Sequence, residues 1–376
     1  MFCPVLRYAI LTASAGHLIR MASCQGDSNG VTINGIKLPR INVDAVVHYH
    51  DTCISYLLDL SKDPNEQYNE DVLTAATILR FYEQIDGKYP TLSPSIGMDS
   101  EAYLSTVQFI VSSQQNESFY AYDTIHGPRR NRDIHAIPST SLRHSACLIA
   151  LRQEIWSGFL NQRTFRLPVC PTNDYTQFDH VNDFTWTNRI LVWCADILKF
   201  CFGEGKSLPF AEKMKRWSAL KAFDLKWESN KPLEFKPLYF EEADPSSGKF
   251  FPVIWHQNAC QAVGSQHIEL SRILLAVSDP KLSRLGLAAR QANLALEEEL
   301  RCIIRRLVGL ALSNSKCPSL FVDAAVGISV CGEYLTDPAE QNAILEFLAN
   351  LEFQHGWPTA ATATALNEAW QTRALS

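Results

Sequence analysis

The chain has 376 residues, of which 46% are hydrophobic and 20% charged, and it carries a net charge of −6. This is the balance of a globular protein with a large core, and length alone gives a soft prior of two or three domains. The acidic charge argues against a broad electrostatic surface for nucleic acid, and no unbroken apolar run reaches the ~18 residues that a membrane span needs.

The N-terminal stretch MFCPVLRYAILTASAGH ends its apolar run at Ala13-Ser14-Ala15, which fits a secretory cleavage pattern. Arg7 interrupts that run, so the preferred reading is an amphipathic first helix with Leu6, Ile10, Ala13 and Leu18 turned inward. A polar loop over 24–39 holds Asn34-Gly35 between β-branched pieces, the signal of a small, isolated hairpin. A helix is expected over 43–60. Asp63-Pro64-Asn65-Glu66 and Asp337-Pro338-Ala339-Glu340 each resemble a capping box with proline at the first helical position, and each marks a helix start.

Further helices are expected over 72–85, 100–111, 140–160, 178–202, 211–222, 287–312, 319–335, 338–353 and 358–369. Gly, Pro, Ser and Asn collect in the connections near 86–98, 113–138, 203–210 and 229–250, none of which reads as a domain linker. The stretch 250–280 organises the rest. Phe251, Trp255, Ala259, Ala262, Leu270, Ile273 and Val277 recur at steps of three or four along one helical face, interrupted by Gln266. A second row, Ile254, Val263, Ile268, Leu274 and Leu275, makes the element apolar on more than one side. It is expected to be a central helix near 252–278, about 40 Å long at 1.5 Å per residue. With no fixed-period repeat and almost no strand signal, the fold class is all-α: an irregular multi-helix array packed as one domain over residues 1–376.

The eleven cysteines lie scattered in apolar segments with no CxxC pair, which reads as reduced, buried thiols in a cytosolic or nuclear protein. His48, His50 and Cys53 look like metal ligands, but positions two apart on a helix point away from each other. His267 with Glu269 has the same spacing, and His126 with His135 sits in a loop. Neither VGSQH around Ser265 nor GISVC around Ser329 completes a nucleophile elbow. DHVND, with Asp179 and Asp183, is a poor imitation of the aspartate-rich run that holds magnesium in isoprenoid cyclases. Arg129, Arg130 and Arg132 form a basic loop that suits an import signal or a phosphate contact, and a solvated loop is the preferred reading. Arg80 with Glu83, and Arg152 with Glu154, lie on core-rich helices and are expected to be structural pairs; Glu297 precedes Arg301 by one helical turn. No catalytic, cofactor or metal residue is assigned.

Several segments resemble the fungal-specific transcription factor domain, the helical regulatory region that follows the binuclear zinc cluster, including proteins of the acriflavine-sensitivity-control type. They are CPVLRYAILTASAGHL, DVLTAATILRFYEQID, LRQEIWSGFLNQR, DFTWTNRILVWCADILKFCFGE, FFPVIWHQNACQAVGSQHIELSRILLAVSDPKLSRLG, AVGISVCG and EFQHGWPT, in the family's order. The resemblance implies a nuclear regulator without cofactor. Its partners would be the transcriptional machinery or other regulators, a small-molecule effector, a second copy of the chain, and DNA only indirectly, with no membrane. The zinc cluster itself is missing here, so either the gene model is truncated or this is a regulatory-only protein. The other class of function is an all-α enzyme of secondary metabolism with an unnamed pocket.

Overall fold

The computed structural model describes residues 3–26, 30–60, 62, 70–86, 101–113, 142–168, 175–282 and 286–374. Twelve α-helices and two short antiparallel ribbons are found among them, an all-α array as the periodicity predicts. At its centre α6 (Asp183–Phe202) packs along α8 (Ala259–Val277), with α9 (Leu287–Ser313) and α10 (Ser319–Cys331) closing the other side of α8. Gly264 makes the α6–α8 contact close. A Cβ there would lie 3.0 Å from Phe235, 3.2 Å from Ile190 and 3.3 Å from Thr187. Ile190, Trp193, Ile197, Leu270, Ile273 and Leu307 are fully buried in this layer. Each such apolar side chain stabilises the fold by roughly 1.5–3 kcal/mol through its removal from water.

α5 (Leu142–Leu160) joins this core to α3 (Glu70–Asp86), which with α1 (Pro4–Cys24) and α2 (Val43–Leu60) forms a smaller second core around Val5, Ala9, Cys53, Ala75 and Leu79. α4 (Ala102–Ser113) lies on α3. The last two helices, α11 (Pro338–His355) and α12 (Ala360–Ala374), follow α10, and α11 reaches back to α1. There Arg20 pairs with Glu352 at 2.7 Å and His17 Nε2 meets the His355 carbonyl at 2.8 Å. Asp337 caps α11 by accepting from Ala339 N–H, as expected, whereas the device at Asp63 lies outside the described residues.

The central helix is shorter than its periodicity implies. It starts at Ala259, not near residue 252, and at 19 residues it is about 28 Å long. Val253–Trp255 is instead a strand, β4, paired antiparallel with β3 (Tyr239–Glu241). Distant residues impose this: the Pro252 carbonyl lies so close to α9 that a Cβ on Gly309 would sit 2.2 Å from it. Ser313 Oγ accepts from Ile254 N–H, and Asn314 Oδ1 accepts from His256 N–H while its amide donates to the Ile254 carbonyl. Asn258 then caps the true helix start. Gln266, which breaks the apolar row, is fully buried and donates to the carbonyls of Leu307 and Leu320, tying α8 to α9 and α10.

Smaller differences have similar causes. The inward face of α1 is Val5, Leu6, Ala9, Thr12 and Ala13, so Ile10 points outward, 42% exposed. The helix expected over 178–202 begins at Asp183 behind an Asn182 cap. That expected over 211–222 runs as α7 over Phe210–Asn230, because Phe223 and Trp227 continue its buried face. The Asn34-Gly35 hairpin is present as β1 (Thr32–Ile33) and β2 (Ile36–Lys37).

Candidate functional site

Beside α8 the β3–β4 ribbon, the end of α7 and the C-terminal half of α9 enclose a cleft of about 410 Å³. Its floor is apolar: Trp227, Phe235, Ile254, Ile268 and Leu310, with half-exposed Phe240 at the mouth. The rings lock one another, Phe235 standing edge-on to Trp227 at 5.1 Å and Trp227 meeting Trp186 at 5.6 Å. Its volume is in the range of a small-molecule site, and its lining is divided between apolar and polar or charged side chains.

The polar wall is an ion network. Arg272 donates to Asp224 at 2.9 Å, to Glu269 at 2.9 Å and to Glu228 at 2.5 Å; burial alone would weaken its charge, but these three carboxylates outweigh it and raise the pKa. Burial would raise the Glu228 pKa, but Arg272 and Lys231 outweigh it and hold the carboxyl below its ordinary range. Arg306 holds Glu269 through one amino nitrogen at 2.7 Å, and its buried Nε has no hydrogen-bond partner. Deeper in, His256 Nε2 meets Ser265 Oγ at 3.0 Å. Burial, helped by nearby Lys231, pushes the His256 pKa down to about 4, so the ring is neutral near pH 7. His256 Nδ1 has no partner, and so lacks the third group that orients the base in a nucleophilic triad.

Two further depressions of about 440 and 430 Å³ flank α1. The first has no charged side chain among its lining residues, and in the second Arg20 and Glu352 neutralise each other.

The residues singled out in the sequence disperse. On α2, His48 is exposed, His50 hydrogen-bonds Tyr103 and Cys53 is buried against the Val5 carbonyl. Asp179 pairs with Arg189 at 2.6 Å, while Asp183 accepts from Asn258 and Gln261, fastening the start of α6 to the start of α8. Ser329 bonds back to the Ala325 carbonyl. No three His, Cys, Asp or Glu side chains among the described residues converge as a metal site would require. His126, His135, Arg129, Arg130 and Arg132 lie outside the described residues.

Arg80 pairs with Glu83 at 2.8 Å, as expected, and also donates to Ser157. Arg152 does not pair with Glu154. It reaches Asp323 on α10 at 3.3 Å, and Glu154 is held by Arg163 at 2.6 Å. Asp323 also accepts from the Trp156 indole at 2.6 Å and lies 3.8 Å from His267. Glu297 and Arg301 meet at 3.7 Å. The cleft itself, with His256 and Ser265 nine residues apart across a strand-to-helix junction, has no spacing signal in the sequence.

Over 168 residues the chain is 24% identical to a protein described as Transcription activator AMTR1, from Alternaria alternata. The chain resembles a transcription activator. The match takes in 42% of this chain and 22% of the length of that relative. No family model matches the chain and no solved structure matches it. Among the described residues no helix is long and apolar enough to cross a membrane.

Proposed function

We propose that residues 1–376 form the regulatory domain of a fungal-type transcription regulator, acting in the nucleus on the transcriptional machinery or other regulators in response to a partner or small effector. Base reading is then the task of a binuclear zinc cluster that these residues do not include, since the chain has no CxxC pair. The likeness to a transcription activator carries the reading. Two features support it: six of the seven segments that carry the resemblance fall on helices α1, α3, α5, α6, α8 and α10, and among the described residues most of the buried charges are held in structural pairs.

One contact favours a second reading, an enzyme: Ser265 and neutral His256 are within hydrogen-bond reach inside a cleft. It is weaker, because the partnerless Nδ1 leaves the ring without an orienting group. Rapid depletion of the protein in living cells separates the two. A regulator changes nascent transcripts of a defined gene set before any metabolite shifts; unchanged nascent transcripts with one accumulating metabolite would overturn the reading.

A further inference from the structure

The charges around the cleft are unevenly matched. Arg272 is surrounded by three carboxylates, whereas Arg306, whose side chain is 36% exposed, has one oxygen of a glutamate that it shares with Arg272. A guanidinium offers five N–H donors in a planar fork suited to a carboxylate, so most of the donor capacity of Arg306 is unspent. Lys231, held at 3.1 Å by a half-exposed Glu228, supplies a second cation on the same rim. Below them lies the aromatic and aliphatic floor of Trp227, Phe235, Ile254 and Ile268.

We infer that this cleft binds a small amphipathic anion, with a flat aromatic or short aliphatic body against Phe240 at the mouth and one carboxylate or sulfonate group on Arg306 and Lys231. The uneven pairing selects the charge: a cationic head would meet the Arg306 face, whereas an anion completes it. The apolar lining selects the body: Phe240 at the mouth is half-exposed and gains apolar cover, while Trp227 and Phe235 lie buried beneath it. Ser265 and His256 form the polar part of the inner wall, and with His256 neutral near pH 7 they offer hydrogen bonding without a second charge. The inference rests on the regulatory reading only in naming that ligand as the effector; the binding itself is a property of the cleft.

The test is titration of the purified chain with two fluorescent probes that share one ring system, 1-anilinonaphthalene-8-sulfonate and the neutral N-phenyl-1-naphthylamine. The sulfonate should bind at one site and more tightly than its neutral analogue. Arg306→Gln should weaken the sulfonate by about tenfold or more, as expected for loss of a charge-assisted hydrogen bond, and leave the neutral probe within about twofold. Phe240→Ala, at the half-exposed mouth where folding is not at risk, should weaken both probes. Should Arg306→Gln melt the protein, Lys231→Gln replaces it, with the same selective loss expected at smaller size. Equal affinity for the two probes, indifference of the sulfonate to these variants, or no binding would each overturn the inference. None of those results bears on nascent transcription after depletion, which tests the regulatory reading separately.

Discussion

Arg152→Ala is expected to destabilise the chain by ~3 kcal/mol, and the number follows from what the arginine leaves behind. Asp323 is completely buried on α10, with Arg152 at 3.3 Å, the Trp156 indole at 2.6 Å and His267 at 3.8 Å. His267 offers little help, since complete burial lowers its pKa despite the pull of Asp323 and keeps the ring neutral. Truncating the arginine therefore strands a carboxylate charge with a single indole donor, a change that costs roughly 3–5 kcal/mol for a buried pair. The lower end applies because the Arg152 side chain is itself 21% exposed. Its guanidinium also lies 5.3 Å from the Trp156 ring, which adds a fraction of a kcal/mol to the loss, about 0.5. With an unfolding entropy of ~2.1 cal/mol/K per residue, 376 residues give ~0.8 kcal/mol/K, so the midpoint should fall by about 4 °C in a calorimetric scan. Asp323→Asn removes the charge but keeps an acceptor for the indole, so it should cost clearly less than Arg152→Ala. A midpoint for Arg152→Ala within about 1 °C of the parent would refute the reasoning and return Arg152 to consideration as a ligand-binding residue.

Other perturbations have equally definite outcomes. Because His256 titrates at about 4 when folded against an ordinary 6.5, the unfolded chain takes up the proton first as pH falls. Its share of stability is complete above about 6.5 and is lost towards 4, amounting to ~2 kcal/mol by about pH 5. His256→Gln should therefore flatten the fall in urea stability between about pH 7.5 and about pH 5, and an unaltered slope would contradict this. Gly309→Ala places a Cβ 2.2 Å from the Pro252 carbonyl, a backbone clash that should cost about 1–3 kcal/mol in chemical denaturation by lifting β4 from α9; a neutral result would mean that the ribbon is not seated there. The chain should bind duplex DNA without sequence preference, with a salt slope no steeper than about −3 if Arg129, Arg130 and Arg132 each meet a phosphate. An anisotropy titration showing preference for one sequence by more than about 10³ would overturn that expectation.

Helical periodicity located most of the array, and α2 and α9 lie within a residue of their expected bounds because local amphipathicity and chain direction agree there. It failed at residues 252–258 for an identifiable reason. Phe251, Trp255 and Ala259 keep a four-residue spacing straight through a strand and a cap, while the groups that hold the strand, Gly309, Ser313 and Asn314, are more than fifty residues away. Asn258, the cap of the true start, was not singled out, because the apolar rows run straight through it. The partner of Arg152 was hidden in the same way: Glu154 is near in sequence but lies two helical positions away, on another side, and Asp323 is 171 residues distant. The cleft was legible least of all, since β3, β4, α7, α8 and α9 each contribute only a few of its residues.

The most direct test of the account is to tether the chain, fused to an unrelated DNA-binding domain, at a reporter promoter in a fungal host. The regulatory reading predicts that reporter transcription changes several-fold relative to the DNA-binding domain alone. A fusion that accumulates in the nucleus and occupies the promoter, yet leaves transcription at the level of the DNA-binding domain alone, would contradict it.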